Sequence, residues 1–382
     1  MSTLSTSGTR GTRGTRGTRG TRGVFLDSDE DGLVEALITT RDGIVGRWSP
    51  PTEFPAQRAA EMDDNLLLWE EWVRDFVFSF EVTSRLGFTV GQPSGSAGNR
   101  TVSVWHLEVT PGTGDAAPTG KYVPLIRFDR PSEPVFAEQL AFMKAYADLR
   151  PDRSTEIVEQ LDLPPAFLGS IADLRPDSKR WTNALLDTVA DLVRFVTQRI
   201  KHALACRRPH EYSPQVQPII AVPGHGSLPS GHATEAFARS LVFSRLLLAT
   251  GTVPYSNIGV TAQMMRLAAR IAINRTVAGV HFPIDSISGG LLGLTLGDYF
   301  LARIASGDNH YAPAHFDGTA ADIGGCDFIW SELYDLDHRR VRFSTEAGSH
   351  PAVKKWGGSV HLSEPGSGPL AWLWNRAKGE WT

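Results

Sequence analysis

The sequence predicts a mainly α-helical protein built on a helical bundle, with an N-terminal accessory region of helices and a β-hairpin. The stretch TNALLDTVADLVRFVTQRIKHALA, residues 182–205, carries apolar residues at helical spacing. Two further helical patterns follow, at about 233–249 and 262–275. A last pattern opens at Pro283, a favourable first-turn residue, and its glycines and serines permit close helix packing. These four helices place the bundle at residues 155–305.

Residues 1–32 precede any helical pattern. A Gly-Thr-Arg repeat, Gly8 to Gly23, has too much glycine and too many like charges to order, so we expect a disordered tail. The acidic stretch DSDEDG that follows copies the first half of a calcium-binding loop. Ile38 occupies the position of the closing glutamate, which favours a solvated acidic turn over a calcium site.

The accessory region covers residues 33–154. It opens with a helical aromatic stripe that includes Trp72, Phe76 and Phe80, which we expect to be core. The β-rich stretches RTVSVWHLEVT and KYVPLIRF then predict a hairpin laid on the helices. After the bundle, residues 306–382 form a weakly patterned C-terminal extension that either covers the bundle or mediates homo-oligomerisation.

Composition limits the classes of function. The formal net charge is −4 and the isoelectric point about 6.3, so nothing in the overall charge indicates a nucleic-acid partner. Only Cys206 and Cys326 are present, which favours reduced thiols and excludes a metal site built from cysteines. The sequence shows neither a secretory signal pattern nor an apolar run long enough for a membrane span, so we expect a soluble, cytoplasmic protein.

Polar residues collect at the predicted helix ends. Three cations, a hydroxyl and a glycine amide at the positive end of a helix suit a tetrahedral oxyanion. Pro229 fixes the turn before the helix, and the glycine lets an anion approach the backbone. The residues of this predicted cage are Lys201, Arg208, Ser230, Gly231 and Arg275.

Two histidines and a carboxylate complete the candidate site. His281 and Asp285 are four residues apart and can pair across one helical turn, so the carboxylate can hold one imidazole nitrogen protonated. The other nitrogen is then a nucleophile or a metal ligand. His232 follows the cage glycine directly and is placed to move protons.

Three motifs carry a resemblance to a known family. KHALACRRP (201–209), PSGH (229–232) and NRTVAGVHFPID (274–285) resemble the signature of the type 2 phosphatidic acid phosphatase and vanadium haloperoxidase superfamily, in its order and spacing. The family's third motif often begins Ser-Arg, whereas Asn274 precedes the arginine here. The resemblance implies that the cage residues hold phosphate or vanadate. It also implies that His281 is the group axial to phosphorus or vanadium and His232 the general acid/base.

The resemblance leaves two chemistries open. Integral membrane relatives have spans and small secreted acid phosphatases have signal peptides, whereas this sequence predicts neither. We therefore favour a vanadate-dependent haloperoxidase that oxidises halide with hydrogen peroxide. The alternative is a soluble phosphatase that cleaves phosphate monoesters through a phosphohistidine and needs no cofactor. A non-catalytic anion-binding scaffold is a third hypothesis.

Two residues bear on a halide or substrate pocket. His225 resembles a histidine that bromoperoxidases of the family carry near vanadate, although a polar loop histidine explains it equally well. Gln198 stands where related haloperoxidases often have tryptophan, which weakens the case for a halide pocket.

Overall fold

The computed structural model describes residues 31–47, 49, 51–60, 62–91, 100–304, 309–363 and 366–382. The Gly-Thr-Arg repeat and the start of the acidic turn lie outside these residues. The chain divides into two compact units between Phe76 and Val77. The first unit contains helix α1 (Asp31–Val45) and a 3₁₀ helix (Asp63–Leu68), and helix α2 (Glu71–Thr83) spans the division.

The aromatic stripe on α2 differs from expectation. Phe78 and Val82, one helical turn apart, are the buried residues of this helix, whereas Phe80 is 65% exposed. The expectation that Phe76, which is 59% exposed, and Phe80 belong to the core is therefore wrong. The stripe is wider than the apolar face that the helix buries, so periodicity alone did not identify the correct side.

A five-stranded mixed sheet follows, in the order β1-β2-β3-β5-β8. The predicted hairpin is present as two antiparallel strands, in a register that pairs Thr101 with Asp129 and Thr110 with Thr119. Val102, Val104, Leu125 and Ile126 on these strands are buried. The strands are β1 (Leu86–Gly91), β2 (Thr101–Thr110), β3 (Thr119–Asp129), β5 (Ala314–Phe316) and β8 (Val353–Lys355).

Helices are the main regular structure of the second unit, which confirms the prediction of a mainly helical protein. The four predicted bundle helices begin and end within a few residues of their expected positions. The helices are α3 (Glu133–Ala147), α4 (Arg150–Glu159), α5 (Ala166–Gly169), α6 (Arg180–Leu204), α7 (Pro209–Tyr212), α8 (Gly231–Thr250), α9 (Ile258–Val277), α10 (Pro283–Ile304) and α11 (Gly368–Gly379).

Helices α8 and α10 form the centre of the bundle and are buried over most of their length. Glycines on α10 let the two backbones approach closely: a Cβ added at Gly289 would lie 2.6 Å from the carbonyl oxygen of Ser230. The Ser230 amide also donates to the carbonyl of Asp285 at 2.8 Å. Close packing therefore brings the first turns of α8 and α10 together, and with them the candidate site.

The C-terminal extension packs against the sheet and the bundle. Strand β5 pairs parallel to β3, and β8 pairs antiparallel to β5, so the extension completes the sheet. Helix α11 packs on α6. The Glu380 carboxylate accepts hydrogen bonds from the amides of Trp181 and Thr182, both at 2.8 Å, at the α6 N-terminus. Such a cap stabilises a helix by about 1 kcal/mol.

Short strands β4 (His310–Tyr311), β6 (Tyr334–Asp335), β7 (Arg340–Val341) and β9 (Val360–His361) add two small ladders. Across the described ranges, none of the helices has the combined length and apolar character that a bilayer crossing requires. Both cysteines are free thiols.

Candidate active site: an oxyanion cage at the helix ends

The predicted site residues meet where four bundle helices begin or end. Helix α6 ends at Leu204, and Ala205 leaves it in the left-handed conformation, φ 50°. The Ser230 hydroxyl caps α8 by accepting from the Ala233 amide at 3.4 Å. Helix α9 ends at Val277, and Gly279 takes a φ of 84° that favours glycine, turning the chain towards α10. Loop and cap chemistry thus bring one end of each helix to the site.

His281 is held by a carboxylate. Its Nδ1 lies 3.1 Å from Asp285 Oδ2, which also accepts from the Phe282 amide at 2.9 Å and from the Ser227 hydroxyl. Because this oxygen is an acceptor, Nδ1 carries the proton and Nε2 the lone pair. His281 is nearly buried. Burial first, then Lys201 and Arg208, hold its pKa well below the ordinary value, so the ring is neutral at neutral pH.

Asp285 is fully buried, and burial raises its pKa. The hydrogen bonds from Ser227 and Phe282 act in the opposite direction, as does the charge of Lys201. These contacts favour the ionised carboxylate that keeps His281 in its Nδ1–H form. Ser227 is therefore part of the site, although sequence reasoning did not select it.

Two cations border the histidine from the α6 side. Lys201 Nζ donates to the carbonyls of Gly226 at 2.9 Å and Ser227 at 2.7 Å, and burial lowers its pKa. Arg208 donates to the carbonyls of His225 at 2.9 Å and Val280 at 2.8 Å. Its NH1 lies 3.5 Å from His281 Nε2. The loop carbonyls thus fix both cations, and Arg208 lies beside His281 Nε2.

Arg275, in the last turn of α9, is the third cation of the predicted cage. Its NH2 donates to the carbonyl of Ile157 at 3.0 Å and to Gln160 Oε1 at 3.1 Å. Its Nε and NH1 are buried and have no hydrogen-bond partner in the part of the chain that the structure describes. Burial lowers its pKa to about 10, so the guanidinium is charged at neutral pH. Two buried, unpaired cationic donors are costly unless an anion occupies the site, and they fit a tetrahedral oxyanion such as phosphate or vanadate.

The first turn of α8 completes the cage. A Cβ at Gly231 would meet nothing within 4 Å, so the backbone is open to a ligand at this point. His232 Nε2 lies 3.1 Å from the carbonyl of Leu161, to which it donates, leaving Nδ1 as the acceptor in the neutral ring. Burial first, then the charge of Arg275, lowers the pKa of His232 to about 3. A bound anion would raise it by offsetting that charge.

The two predicted pocket residues differ in placement. His225 is exposed, but its Nδ1 lies 3.2 Å from Arg208 NH2, so it belongs to the rim of the cage. Gln198 lies on the exposed side of α6, and within the described residues no hydrogen bond joins it to the cage. A role for Gln198 in a halide pocket stays a prediction.

Gln160 is a second contact that sequence reasoning missed. It is fully buried at the end of α4, 115 residues before Arg275, and no motif includes it. Ser227, by contrast, directly precedes the Leu-Pro-Ser-Gly-His stretch, so its position near a motif was a usable signal.

A separate polar cluster lies on the sheet. Asp129, His315 and Asp317 place possible ligand atoms within 4.8 Å of one another. However, Arg127 donates to Asp129 at 3.1 Å and Lys354 pairs with Asp317. The two carboxylates are thus compensated by side chains, and the cluster is a network of ion pairs.

The bundle thus carries the predicted cage residues and a carboxylate-paired histidine at its helix ends. Residues 186–304 match the family model of the PAP2 superfamily, and this segment of the chain belongs to that superfamily. No curated protein matches the chain. Among solved structures, a transmembrane PAP2 type phosphatidylglycerolphosphate phosphatase from Bacillus subtilis is similar at 22% identity and a TM-score of 0.36, over 44% of this chain and 84% of that one.

Proposed function

We propose that this protein hydrolyses phosphate monoesters through a phosphohistidine at His281. The observation that carries the proposal is the pairing of His281 Nδ1 with Asp285. The pairing leaves the Nε2 lone pair available beside Arg208, whose NH1 lies 3.5 Å away, and the buried Arg275 offers two further unpartnered donors. A neutral imidazole among fixed cations is a nucleophile for a phosphoryl group rather than a proton donor to it.

The first half-reaction uses both histidines. His281 Nε2 attacks phosphorus in line, the bond from phosphorus to the ester oxygen breaks, and His232 donates a proton to the departing oxygen. Lys201, Arg208 and Arg275 stabilise charge on the equatorial oxygens. The dianionic ester itself raises the pKa of His232, which is how a ring that is neutral in the empty cage acquires its proton.

The second half-reaction regenerates the enzyme. A water attacks the phosphohistidine, and its proton passes to His232, which restores the acid for the next turnover. The bond between phosphorus and Nε2 breaks, and Asp285 stabilises the Nδ1–H tautomer that His281 regains. Inorganic phosphate leaves the cage, and no cofactor enters the cycle.

Vanadate-dependent halide oxidation is the second candidate, and the position of His225 beside Arg208 at the rim favours it. The same donors fit vanadate: Arg275 and Lys201 would hold its oxygens, and His281 would hold it through Nε2. Bound vanadate would supply activation of peroxide for halide oxidation. The phosphatase is preferred because each of its steps uses a residue of the cage, whereas the predicted pocket residue Gln198 is on the exposed side of α6.

A paired assay distinguishes the candidates. Metal-stripped protein is tested for hydrolysis of p-nitrophenyl phosphate, and separately for bromination of a dimedone-type acceptor with bromide, peroxide and added vanadate. We expect phosphate release that vanadate inhibits and that His281→Ala abolishes, with His202→Ala, an exposed histidine on α6, as the matched control. Vanadate-dependent bromination that phosphate suppresses would favour the second candidate. If the protein shows neither activity, the result would favour the scaffold hypothesis.

A further inference from the structure

The residues at the end of α4 contact two members of the candidate site, Arg275 and His232. The Ile157 carbonyl accepts from Arg275, and the Leu161 carbonyl accepts from His232. Between them, Gln160 is fully buried, and its Oε1 accepts from Arg275 NH2 at 3.1 Å. This segment lies outside residues 186–304, the part that matches the superfamily.

Gln160 also accepts a hydrogen bond from Asn274, the residue at which this sequence departs from the family motif. Asn274 Nδ2 donates to the same Oε1 at 2.9 Å, and Asn274 Oδ1 accepts from Arg153 at 3.1 Å. The Gln160 amide in turn donates to Glu156 Oε1 at 2.9 Å. The amide is therefore held in one orientation, oxygen towards Arg275 and nitrogen towards Glu156.

The side chain that accepts a hydrogen bond from Arg275 is uncharged. Glu156 is the carboxylate that acts on Arg275, but it is paired with Arg270 at 2.7 Å. The direct partner of Arg275 is thus a neutral amide, which fixes the guanidinium without compensating its charge. Nε and NH1 keep their capacity to bind an anion.

We propose that Gln160 is a positioning residue that orients Arg275 towards the oxyanion and, by being neutral, preserves the full charge of Arg275 for substrate. This inference rests on the proposed function, since it assigns Gln160 to the same site. It predicts an effect on anion affinity as well as on turnover, because the guanidinium contacts equatorial oxygens before and during the reaction.

The test measures the Kd of inorganic phosphate by titration calorimetry, together with kcat and KM for p-nitrophenyl phosphate and the melting temperature. The variants are Gln160→Met, which removes the acceptor at similar volume, and the exchange Glu156→Gln with Gln160→Glu, which keeps a donor and an acceptor but makes the partner of Arg275 a carboxylate. Glu159→Gln, an exposed neighbour on α4, is the matched control.

Loss of a hydrogen bond to a charged group predicts that Gln160→Met weakens phosphate binding by about tenfold to a hundredfold and raises KM. The exchange variant is expected to keep the wild-type melting temperature and still bind phosphate at least about tenfold more weakly, because the carboxylate neutralises Arg275. Wild-type phosphate affinity in Gln160→Met would overturn the positioning role. Wild-type affinity in the exchange variant would overturn the role of neutrality.

The inference and the proposed function fail in different ways. Wild-type protein that binds phosphate but hydrolyses no ester contradicts the phosphatase, while the variant affinities still decide the role of Gln160. If the wild-type protein hydrolyses the ester and the two variants keep its phosphate affinity and kinetics, the result contradicts only the role of Gln160.

Discussion

Replacing Arg275 by Met is predicted to remove activity without loss of stability. The substitution keeps an unbranched side chain but deletes the charge and the two unpaired donors, Nε and NH1. Each hydrogen bond to a charged group is worth about 1.5–3 kcal/mol, so two such bonds to the transition state are worth about 3–6 kcal/mol. That range corresponds to a fall in kcat/KM of roughly 10² to 10⁴.

The free energy of unfolding of the ligand-free protein is not expected to fall in Arg275→Met. Each buried donor without a partner costs about 1–3 kcal/mol, and the methionine removes two of them. The variant also loses the bonds from NH2 to Ile157 and Gln160, which offset most of this gain. We expect the free energy of unfolding to be unchanged or about 1 kcal/mol higher, the trade-off of a site whose residues serve function rather than folding.

The assay combines ester hydrolysis with urea unfolding in the presence and absence of phosphate. Phosphate should stabilise the wild-type protein and have little effect on the variant, because a ligand at free concentration c adds RT ln(1 + c/Kd) to the free energy of unfolding and the variant has the higher Kd. Arg266→Met, an exposed arginine on the same helix, is the control. A variant that retains most of its activity, or that unfolds about 2 kcal/mol more easily without ligand, would refute the reasoning.

Three further predictions concern the histidines and their partners. Asp285→Ala should lower kcat about 100-fold, because His281 loses the acceptor that fixes its tautomer, and steady-state kinetics would show it. Ser227→Ala should shift the acid limb of the kcat profile to higher pH, because the lost hydrogen bond lowers the pKa of Asp285 in the wild type; an unshifted limb would contradict this. Burial lowers the pKa of His106 to about 3, so stability is lost as pH falls below the unfolded value of 6.5. His106→Gln should remove about 2 kcal/mol of the loss between pH 6.5 and 4.5, measured by urea unfolding.

The parts of the fold that sequence predicted are those set by local pattern. The bundle helices carry repeated apolar spacing, and Pro209, Pro229 and Pro283 interrupt them where the structure does. Strands β5 and β8 are three residues each, and β5 depends on pairing with β3 and β8 on pairing with β5, so no local signal identifies them. Local pattern likewise did not show which face of α2 is buried.

The site likewise contains residues that local sequence predicts and residues that only tertiary packing brings together. The motif residues lie at helix ends, and nearby residues in the sequence determine the caps and breaks of those helices. Their grouping could therefore be predicted. Gln160 contacts Arg275 across 115 residues, and only the packing of α4 against α9 brings them together. The preference for haloperoxidase over phosphatase rested on features outside the cage, and the contacts of the cage favour the phosphatase alternative.

The central claim is that His281 becomes phosphorylated during turnover. The most direct measurement is a rapid quench of the protein with p-nitrophenyl phosphate at neutral or alkaline pH, followed by mass spectrometry of the peptide that contains His281. The account predicts a phosphoryl group on His281, absent from His281→Ala and present in His202→Ala. Steady ester hydrolysis with no phosphohistidine at any quench time, or phosphorylation of another residue, would contradict it.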